Sequence, residues 1–186
     1  MERPESVFRG KNDGPESYRK NWRTEILELL RKVCVEDPLR LGRRGTELLP
    51  TLLETHTPDA VVLMLGTNDC KTIFGASAEI IGKGIARLLE QINQYADKMK
   101  VLVISPIYLG EKVWQDGYDQ EFSPESVEVS KKLEPVYEKV AGKYGKRFMR
   151  AADYANPSEA DQEHMDGQSH KILADAIYRK LEAEIL

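Results

Sequence analysis

Two short stretches of this sequence carry side chains that can act together on a carbonyl group. They are Gly66-Thr67-Asn68-Asp69 and Asp161-Gln162-Glu163-His164. In the second, a carboxylate three residues before a histidine lets one loop supply a base together with an acid that fixes its tautomer and stabilises its protonated form. In the first, Asn68 can offer its side-chain amide to an oxyanion. The two stretches together indicate a site for ester hydrolysis.

Each stretch alone has a simpler interpretation. Gly-Thr-Asn-Asp is also typical of a strand-to-helix turn in which Asn68 and Asp69 cap backbone groups. An isolated Asp161 and His164 is also typical of a solvated pair on a loop. The combination favours the functional interpretation, because the two stretches occur in this order at opposite ends of an α/β pattern.

The elements that must position these residues follow from the apolar pattern. Residues Ala60 to Leu65 are apolar on both faces, which predicts a buried parallel strand covered by helices on each side. Val101 to Ile107 predicts the next strand, and Arg147 to Met149 a short third one. Open α/β sheets bind ligands at the carboxyl edge of their strands, where Asn68 would lie.

Helices alternate with these strands. Ser77 can cap a helix whose apolar residues recur at helical spacing, and Ser123-Pro124-Glu125 opens another that runs to about Tyr144. A final helix starts near Asp166, with His170 on the same side as its apolar stripe. The succession predicts a flavodoxin-like three-layer α/β/α sandwich with a parallel sheet, and the 186 residues predict one domain, residues 1–186.

The motifs resemble those of the SGNH, or GDSL-type, hydrolases and, within them, the arylesterase-like branch. The resemblance extends from about Trp22 onward and rests on four blocks: Glu36 to Arg40, Gly42 to Pro50, Met64 to Asp69, and Asp161 to His170. It implies the SGNH hydrolase fold. It also implies that Asn68 is an oxyanion-hole donor and that Asp161 and His164 are the catalytic acid and base.

Two blocks of that family are not evident. The family's glycine-aspartate-serine motif follows a strand, whereas Ser6 follows Pro4-Glu5 after only five residues. Ser6 is the nucleophile candidate, although nothing in the sequence holds it rigidly beside a base; Ser17 is interpreted as a turn residue. The glycine block after the second strand is also missing, since only Arg31 to Val35 separates the predicted helix Trp22 to Leu30 from Glu36. Either the first strands are lacking or the start was misplaced, and the short interval near Val33 favours the former.

The expected function is therefore a carboxylic ester hydrolase that acts on short acyl or aryl esters or on acetylated sugars through a Ser-His-Asp mechanism. The alternative is a catalytically impaired relative that serves as a ligand-binding or interaction module. Aromatic residues in the long loop from Gly110 to Phe122 can form a substrate pocket or simply anchor the loop. No cofactor and no metal are expected, since Cys34 and Cys70 lie on different elements and Cys70 is interpreted as a small apolar filler.

Composition narrows the class of partner. The net charge of −4 comes from 27 basic and 31 acidic residues that are spread along the chain, which argues against nucleic-acid binding. No apolar stretch approaches a membrane-spanning length and the start is polar, so a cytoplasmic location is expected. The expected partner is a small-molecule ester. An exposed sheet edge, if the first strands are lacking, would favour a homo-oligomer.

Overall fold

Helices and parallel strands alternate in the computed structural model, which describes residues 44–56 and 58–185. The helices are α1 (Gly45–His56), α2 (Ala78–Tyr95), α3 (Pro124–Lys143) and α4 (Gly167–Glu184), and the strands are β1 (Ala60–Leu63), β2 (Lys100–Ser105) and β3 (Arg147–Arg150). The predicted helix Trp22 to Leu30 and the segment Arg31 to Val35 lie outside the described residues.

The three strands form one parallel sheet in the order β1-β2-β3. Val61 pairs with Val101, and Val103 pairs with Phe148. Since every strand runs the same way, the segments that follow β1, β2 and β3 all leave the sheet at one edge. The Asn68 turn and the long loop after Ser105 therefore begin side by side.

Side chains of the central strand alternate between two cores, one on each face of the sheet. Val101 and Val103 join the core built with α1, α2 and α3, whereas Leu102 and Ile104 join the core that α4 covers through Leu173. All four β2 side chains are at most 2% exposed. This arrangement confirms the predicted three-layer α/β/α sandwich, because a strand that is apolar on both faces needs helices on both sides.

Three helices begin where the sequence predicts. Ser77 and Ser123 accept hydrogen bonds from backbone N–H groups three residues on, and Asp166 accepts one from the Ser169 N–H at 2.7 Å. Pro124 occupies the first turn of α3, where its missing N–H costs nothing. Each cap fixes the residue at which the preceding loop ends and the helix begins.

Helix α1 was not predicted, and it contains Pro50 in its interior. Proline has no N–H to donate to the carbonyl four residues earlier, which belongs to Thr46. The side-chain amide of Gln91 on α2 donates to that carbonyl instead, at 2.7 Å. The helix therefore tolerates its proline because a neighbouring helix supplies the lost hydrogen bond.

Two expectations about burial were wrong. Among the described residues, no element covers both faces of β1, since Val62 is 42% exposed and Met64, directly after the strand, is 37% exposed. Ala60 packs in the α4 core, but that cover does not extend along β1 to Val62. His170 is exposed although it lies three residues before the buried Leu173 on the same side of α4, because Leu173 is the first residue of α4 that joins the core.

Candidate active site

The loop that joins β3 to α4 holds Asp161 in a fixed position. Its Oδ1 accepts three hydrogen bonds, from the backbone N–H groups of Glu163 (3.0 Å) and His164 (2.9 Å) and from the Ser158 hydroxyl (3.1 Å). Its Oδ2 lies 2.8 Å from Nδ1 of His164. One carboxylate oxygen is thus bound to the loop while the other faces the imidazole.

These contacts determine the ionisation of Asp161. Partial burial by itself would raise its pKa, but the backbone N–H groups of Glu163 and His164, together with the His164 ring and the Ser158 hydroxyl, lower the pKa to about 2. Asp161 is therefore a carboxylate at neutral pH and can only accept hydrogen bonds. Nδ1 of His164 must carry the proton between them, which leaves Nε2 as the basic nitrogen.

The His164 side chain is 72% exposed, whereas that of Asp161 is 44% exposed. The imidazole is therefore held at Nδ1 while most of its side chain is exposed. The structure brings Asp161 and His164 together as the sequence predicts.

A second carboxylate lies beside the same ring nitrogen. Oε2 of Glu163 is 3.8 Å from Nδ1 of His164, and its side chain is only 12% exposed. Burial raises the pKa of Glu163, while the charges of His164 and Lys71 oppose this rise. Because this contact exceeds hydrogen-bonding distance, it is electrostatic.

The residue between these two acids has an unusual backbone. Gln162 has φ of 61°, the left-handed region, and no other non-glycine residue among those described has a positive φ. Its carbonyl accepts a hydrogen bond from Gly110 N–H at 2.8 Å, and its side chain packs so closely on Gly110 that an added Cβ would lie 2.3 Å from Oε1. This contact holds the Asp161–His164 loop against the start of the long loop.

The turn after β1 is fixed from the opposite side by α3. The hydroxyl of Tyr137, which is fully buried, donates to the carbonyl of Leu65 at 2.8 Å. Gly66 has φ of 127°, and a Cβ there would lie 2.3 Å from the Tyr137 hydroxyl. Only glycine fits this position, for reasons of both backbone and space. Asn68 then opens a short 3₁₀ turn, half-buried.

Asp69 and Cys70 form the buried side of that turn. Asp69 is fully buried and its N–H donates to the Gly66 carbonyl at 3.1 Å, in keeping with a role in fixing the turn. The Cys70 thiol is 5% exposed and contacts the Gly66 carbonyl, and burial together with the Asp69 charge raises its pKa to about 12. Cys70 lies in the hydrophobic core, as its interpretation as a small apolar filler predicts, and the raised pKa of its thiol disfavours the thiolate at neutral pH.

The segment after the turn binds the far end of the long loop 106–123. Lys71 forms ion pairs with Asp119 (3.0 Å) and with Glu121, and its ammonium lies 5.1 Å from the centre of the Phe122 ring. Burial would lower the pKa of Lys71, but the two carboxylates raise it. Both the N–H and the hydroxyl of Thr72 donate to the Glu121 carbonyl. Loop 106–123 thus contacts the Asp161–His164 loop near one end and the Asn68 turn near the other.

The aromatic residues of this loop divide into anchors and an exposed group. Phe122 is 3% exposed and lies in the core, and the Tyr108 hydroxyl donates to Glu134 on α3. That carboxylate raises the pKa of Tyr108. Both residues are therefore anchors. Trp114 is 37% exposed and Tyr118 half-buried, so these two remain candidates for a substrate wall.

Residues 9–171 match the model of the GDSL-like lipase/acylhydrolase family. The chain belongs to the GDSL-like lipase/acylhydrolase family. The match spans most of the 186 residues, including the Asn68 turn and the Asp161–His164 loop. The resemblance seen in the sequence is thereby confirmed. No curated protein sequence matches the chain.

Solved structures of esterases share the fold. Est24, a carbohydrate acetylesterase from Sinorhizobium meliloti, is 28% identical with a TM-score of 0.74, over 82% of this chain and 74% of that one. The aryl esterase of M. smegmatis is 26% identical with a TM-score of 0.74, over 84% of this chain and 75% of that one. A parallel sheet between helices, as in these SGNH hydrolases, is the fold of this GDSL-like chain. No helix in the described part is long and apolar enough to cross a membrane.

The predicted nucleophile of this GDSL-like chain, Ser6, lies outside the described residues, as does Ser17. Among residues 44–56 and 58–185, no serine hydroxyl hydrogen-bonds to the His164 ring. Sequence reasoning missed Glu163, Tyr137 and Gly110. For Glu163 a signal was present in the motif itself, a second acid directly before the histidine, whereas the long-range contacts of the other two leave no mark in the sequence.

Proposed function

We propose that this chain is a carboxylic ester hydrolase with a Ser-His-Asp mechanism, acting on short acyl or aryl esters or on acetylated sugars. His164 is the general base and acid, Asp161 orients it, and Asn68 donates to the oxyanion. The observation that carries the proposal is the 2.8 Å contact of Asp161 Oδ2 with His164 Nδ1, made while three donors hold the other carboxylate oxygen.

The chemistry follows from this arrangement. A serine hydroxyl attacks the ester carbonyl and transfers its proton to Nε2 of His164, and Asp161 stabilises the imidazolium that forms. The carbonyl oxygen becomes an oxyanion, which the Asn68 amide stabilises. As the tetrahedral intermediate collapses, His164 returns the proton to the leaving alcohol. Water then attacks the acyl-enzyme by the same route and releases the acid.

The substrate class takes its support from related structures. Two of them, a carbohydrate acetylesterase and an aryl esterase, are esterases of acetylated carbohydrates and of aryl esters. The exposed Trp114 in the loop beside the site offers an apolar surface of the kind that an aryl group or a sugar ring packs on. Ser6 is the proposed nucleophile, and that assignment rests on the sequence alone.

The test combines labelling with turnover. The purified chain is treated with a fluorophosphonate, the modified residue is mapped by mass spectrometry, and hydrolysis of p-nitrophenyl acetate is measured. We expect the label on one serine. In His164→Ala, turnover should fall by at least about 10³-fold, because formation and hydrolysis of the acyl-enzyme both need the base. His170→Ala is the matched control, since His170 is exposed on α4, and it should retain wild-type turnover.

The second candidate function is a ligand-binding relative without turnover. It is favoured by the absence, among the described residues, of a serine hydroxyl on the His164 ring. If the folded protein shows neither label nor turnover, the ligand-binding function is supported and the esterase function is contradicted. Turnover that His164→Ala abolishes would exclude it.

A further inference from the structure

Glu163 is a carboxylate that the Ser-His-Asp scheme does not use, although it lies directly before the catalytic histidine. Its side chain is 12% exposed, compared with 44% for Asp161. Within the described part of the chain, no donor hydrogen-bonds to the Glu163 carboxylate. A largely covered charge without such a donor needs a nearby cation.

Two cationic groups can stabilise the negative charge of Glu163. One is the His164 ring, whose Nδ1 lies 3.8 Å from Oε2 of Glu163. The other is Lys71, whose charge acts on Glu163 from the segment after the Asn68 turn. Lys71 is already paired with Asp119 and Glu121, so its charge is largely committed to loop 106–123. The imidazole is therefore the cation for which Glu163 is best placed.

The same nitrogen thus faces two carboxylates. Asp161 accepts a hydrogen bond from Nδ1 at 2.8 Å and fixes the ring, whereas Glu163, whose side chain is 12% exposed, places a second carboxylate 3.8 Å from the same nitrogen. A carboxylate at this distance stabilises a protonated ring more than a neutral one, and more strongly when it is covered. The other charged groups around Glu163 are Asp161 on its own loop and Asp119 on loop 106–123, both acidic.

We propose that Glu163 is a positioning residue, a second acid that acts through Nδ1 of His164 to stabilise the imidazolium formed during ester hydrolysis. This inference rests on the proposed function for its catalytic meaning. Its physical content, the effect of Glu163 on the protonation of His164, is independent of turnover. Asp161 orients the ring and supplies the nearer charge, and Glu163 supplies a second charge.

The first test measures the ring directly. Diethyl pyrocarbonate acylates neutral imidazole, and peptide mass spectrometry gives the rate at His164 relative to the exposed His170 of the same molecule. At pH 6.5 we expect this ratio to rise about two- to fivefold in Glu163→Gln, because a charge that favours the protonated ring has been removed. Glu163→Asp keeps a carboxylate and should give an intermediate ratio.

The matched control is Glu111→Gln, which removes an exposed carboxylate from loop 106–123 that pairs with Lys131. It should leave the ratio at the wild-type value. Because His164 is already 72% exposed, a change of access in the Gln variant cannot imitate the effect. An unchanged ratio in folded Glu163→Gln would overturn the proposal.

The second test is a double-mutant cycle in the hydrolysis of p-nitrophenyl acetate. Glu163→Gln should lower kcat by more in the Asp161→Asn background than in the wild type, since Glu163 is then the remaining acid at Nδ1. Equal factors in the two backgrounds would contradict a shared action on the ring. If the wild-type chain shows no turnover, the proposed function fails, and the acylation ratio still decides whether Glu163 acts on His164.

Discussion

Asp161 shows how one residue can set the chemistry of its neighbour. Two backbone N–H groups and the Ser158 hydroxyl bind one oxygen, and His164 binds the other. The loop therefore uses its own backbone donors to keep the acid charged. As a consequence, this loop depends on the ionisation of a single carboxylate.

This dependence predicts a pH effect on stability. The pKa of folded Asp161 is about 2, below the ordinary 3.8, so its contribution is fully present above about pH 5 and is lost as the pH falls towards 2. The difference in free energy of unfolding between the wild type and Asp161→Asn should shrink as the pH falls from about 5 to about 2. Urea unfolding at each pH measures it, and a difference that persists unchanged to pH 2 would contradict the assigned contacts.

Gly66 gives a second prediction at this scale. An alanine there would meet the Tyr137 hydroxyl at 2.3 Å with φ of 127°, so Gly66→Ala should lower the free energy of unfolding by about 2–4 kcal/mol. Gly117→Ala is the matched control, since Gly117 also has a positive φ but has no atom within 4 Å of an added Cβ. Gly117→Ala should lower the free energy of unfolding by only about 1 kcal/mol.

The collision itself can be separated from the backbone strain. In the Tyr137→Phe background the hydroxyl is absent, and Gly66→Ala should then cost less than it does in the wild type. Chemical denaturation of the four proteins gives the coupling. Identical costs in the two backgrounds would mean that the hydroxyl does not restrict Gly66.

At the scale of elements, α1 and α2 are joined by a hydrogen bond to a backbone carbonyl of α1 as well as by apolar packing. The Gln91 amide replaces the N–H that Pro50 lacks, and the two helices also share the core residues Leu49 and Leu53 on one side and Leu88 and Leu89 on the other. This polar contact between the helices therefore satisfies a backbone carbonyl inside α1.

This contact predicts coupling between two positions that are 41 residues apart in the numbering. Gln91→Met should cost about 1 kcal/mol more with Pro50 present than in the Pro50→Ala background, where residue 50 again has an N–H for the Thr46 carbonyl. Thermal or urea unfolding of the four variants measures the difference. A Gln91→Met cost that does not depend on residue 50 would show that the amide is not needed by α1.

The elements also show what the sequence could and could not predict. Strands β1 to β3 were predicted from short, mostly apolar runs. Helices α2 to α4 were predicted because each has an apolar period, a cap or a proline that marks it, such as Ser77 or Ser123-Pro124. Helix α1 was missed because Pro50 contradicts a helix locally, and the compensating Gln91 lies on another element. Exposure of Val62 could not be predicted, since an apolar run does not reveal how far its cover extends. The Asp161–His164 pair was predicted because the two residues are only three positions apart, so one loop holds their side chains close together.

Considered as a whole molecule, the site depends on loop 106–123 more than on any one strand. Gly110 binds the Asp161–His164 loop, and Glu121 binds the segment after the Asn68 turn. The loop therefore connects the two motifs across the carboxyl edge of the sheet. Their relative position is a property of the assembled chain, which no local pattern encodes.

Gly110→Ala tests this connection. The new Cβ would lie 2.3 Å from Oε1 and 2.8 Å from Cβ of Gln162, so the Asp161–His164 loop must move. We expect p-nitrophenyl acetate turnover to fall about tenfold or more, because small displacements of a catalytic base have large effects on rate. Gly142→Ala, on the exposed face of α3 with no atom near an added Cβ, should leave turnover unchanged. Full activity of Gly110→Ala would show that the loop does not position the base.

Loop 106–123 is attached near both of its ends, and between these attachments residues 114–117 are exposed, whereas Val113 is buried in the core. A cut peptide bond in that stretch would leave each new end bound to its own motif by contacts already present. The same is true of inserted residues, which would project into solvent at Gly117, where an added Cβ has no atom within 4 Å. This exposed stretch is thus the place to open, tag or lengthen the protein while the Asn68 turn and the Asp161–His164 loop stay together.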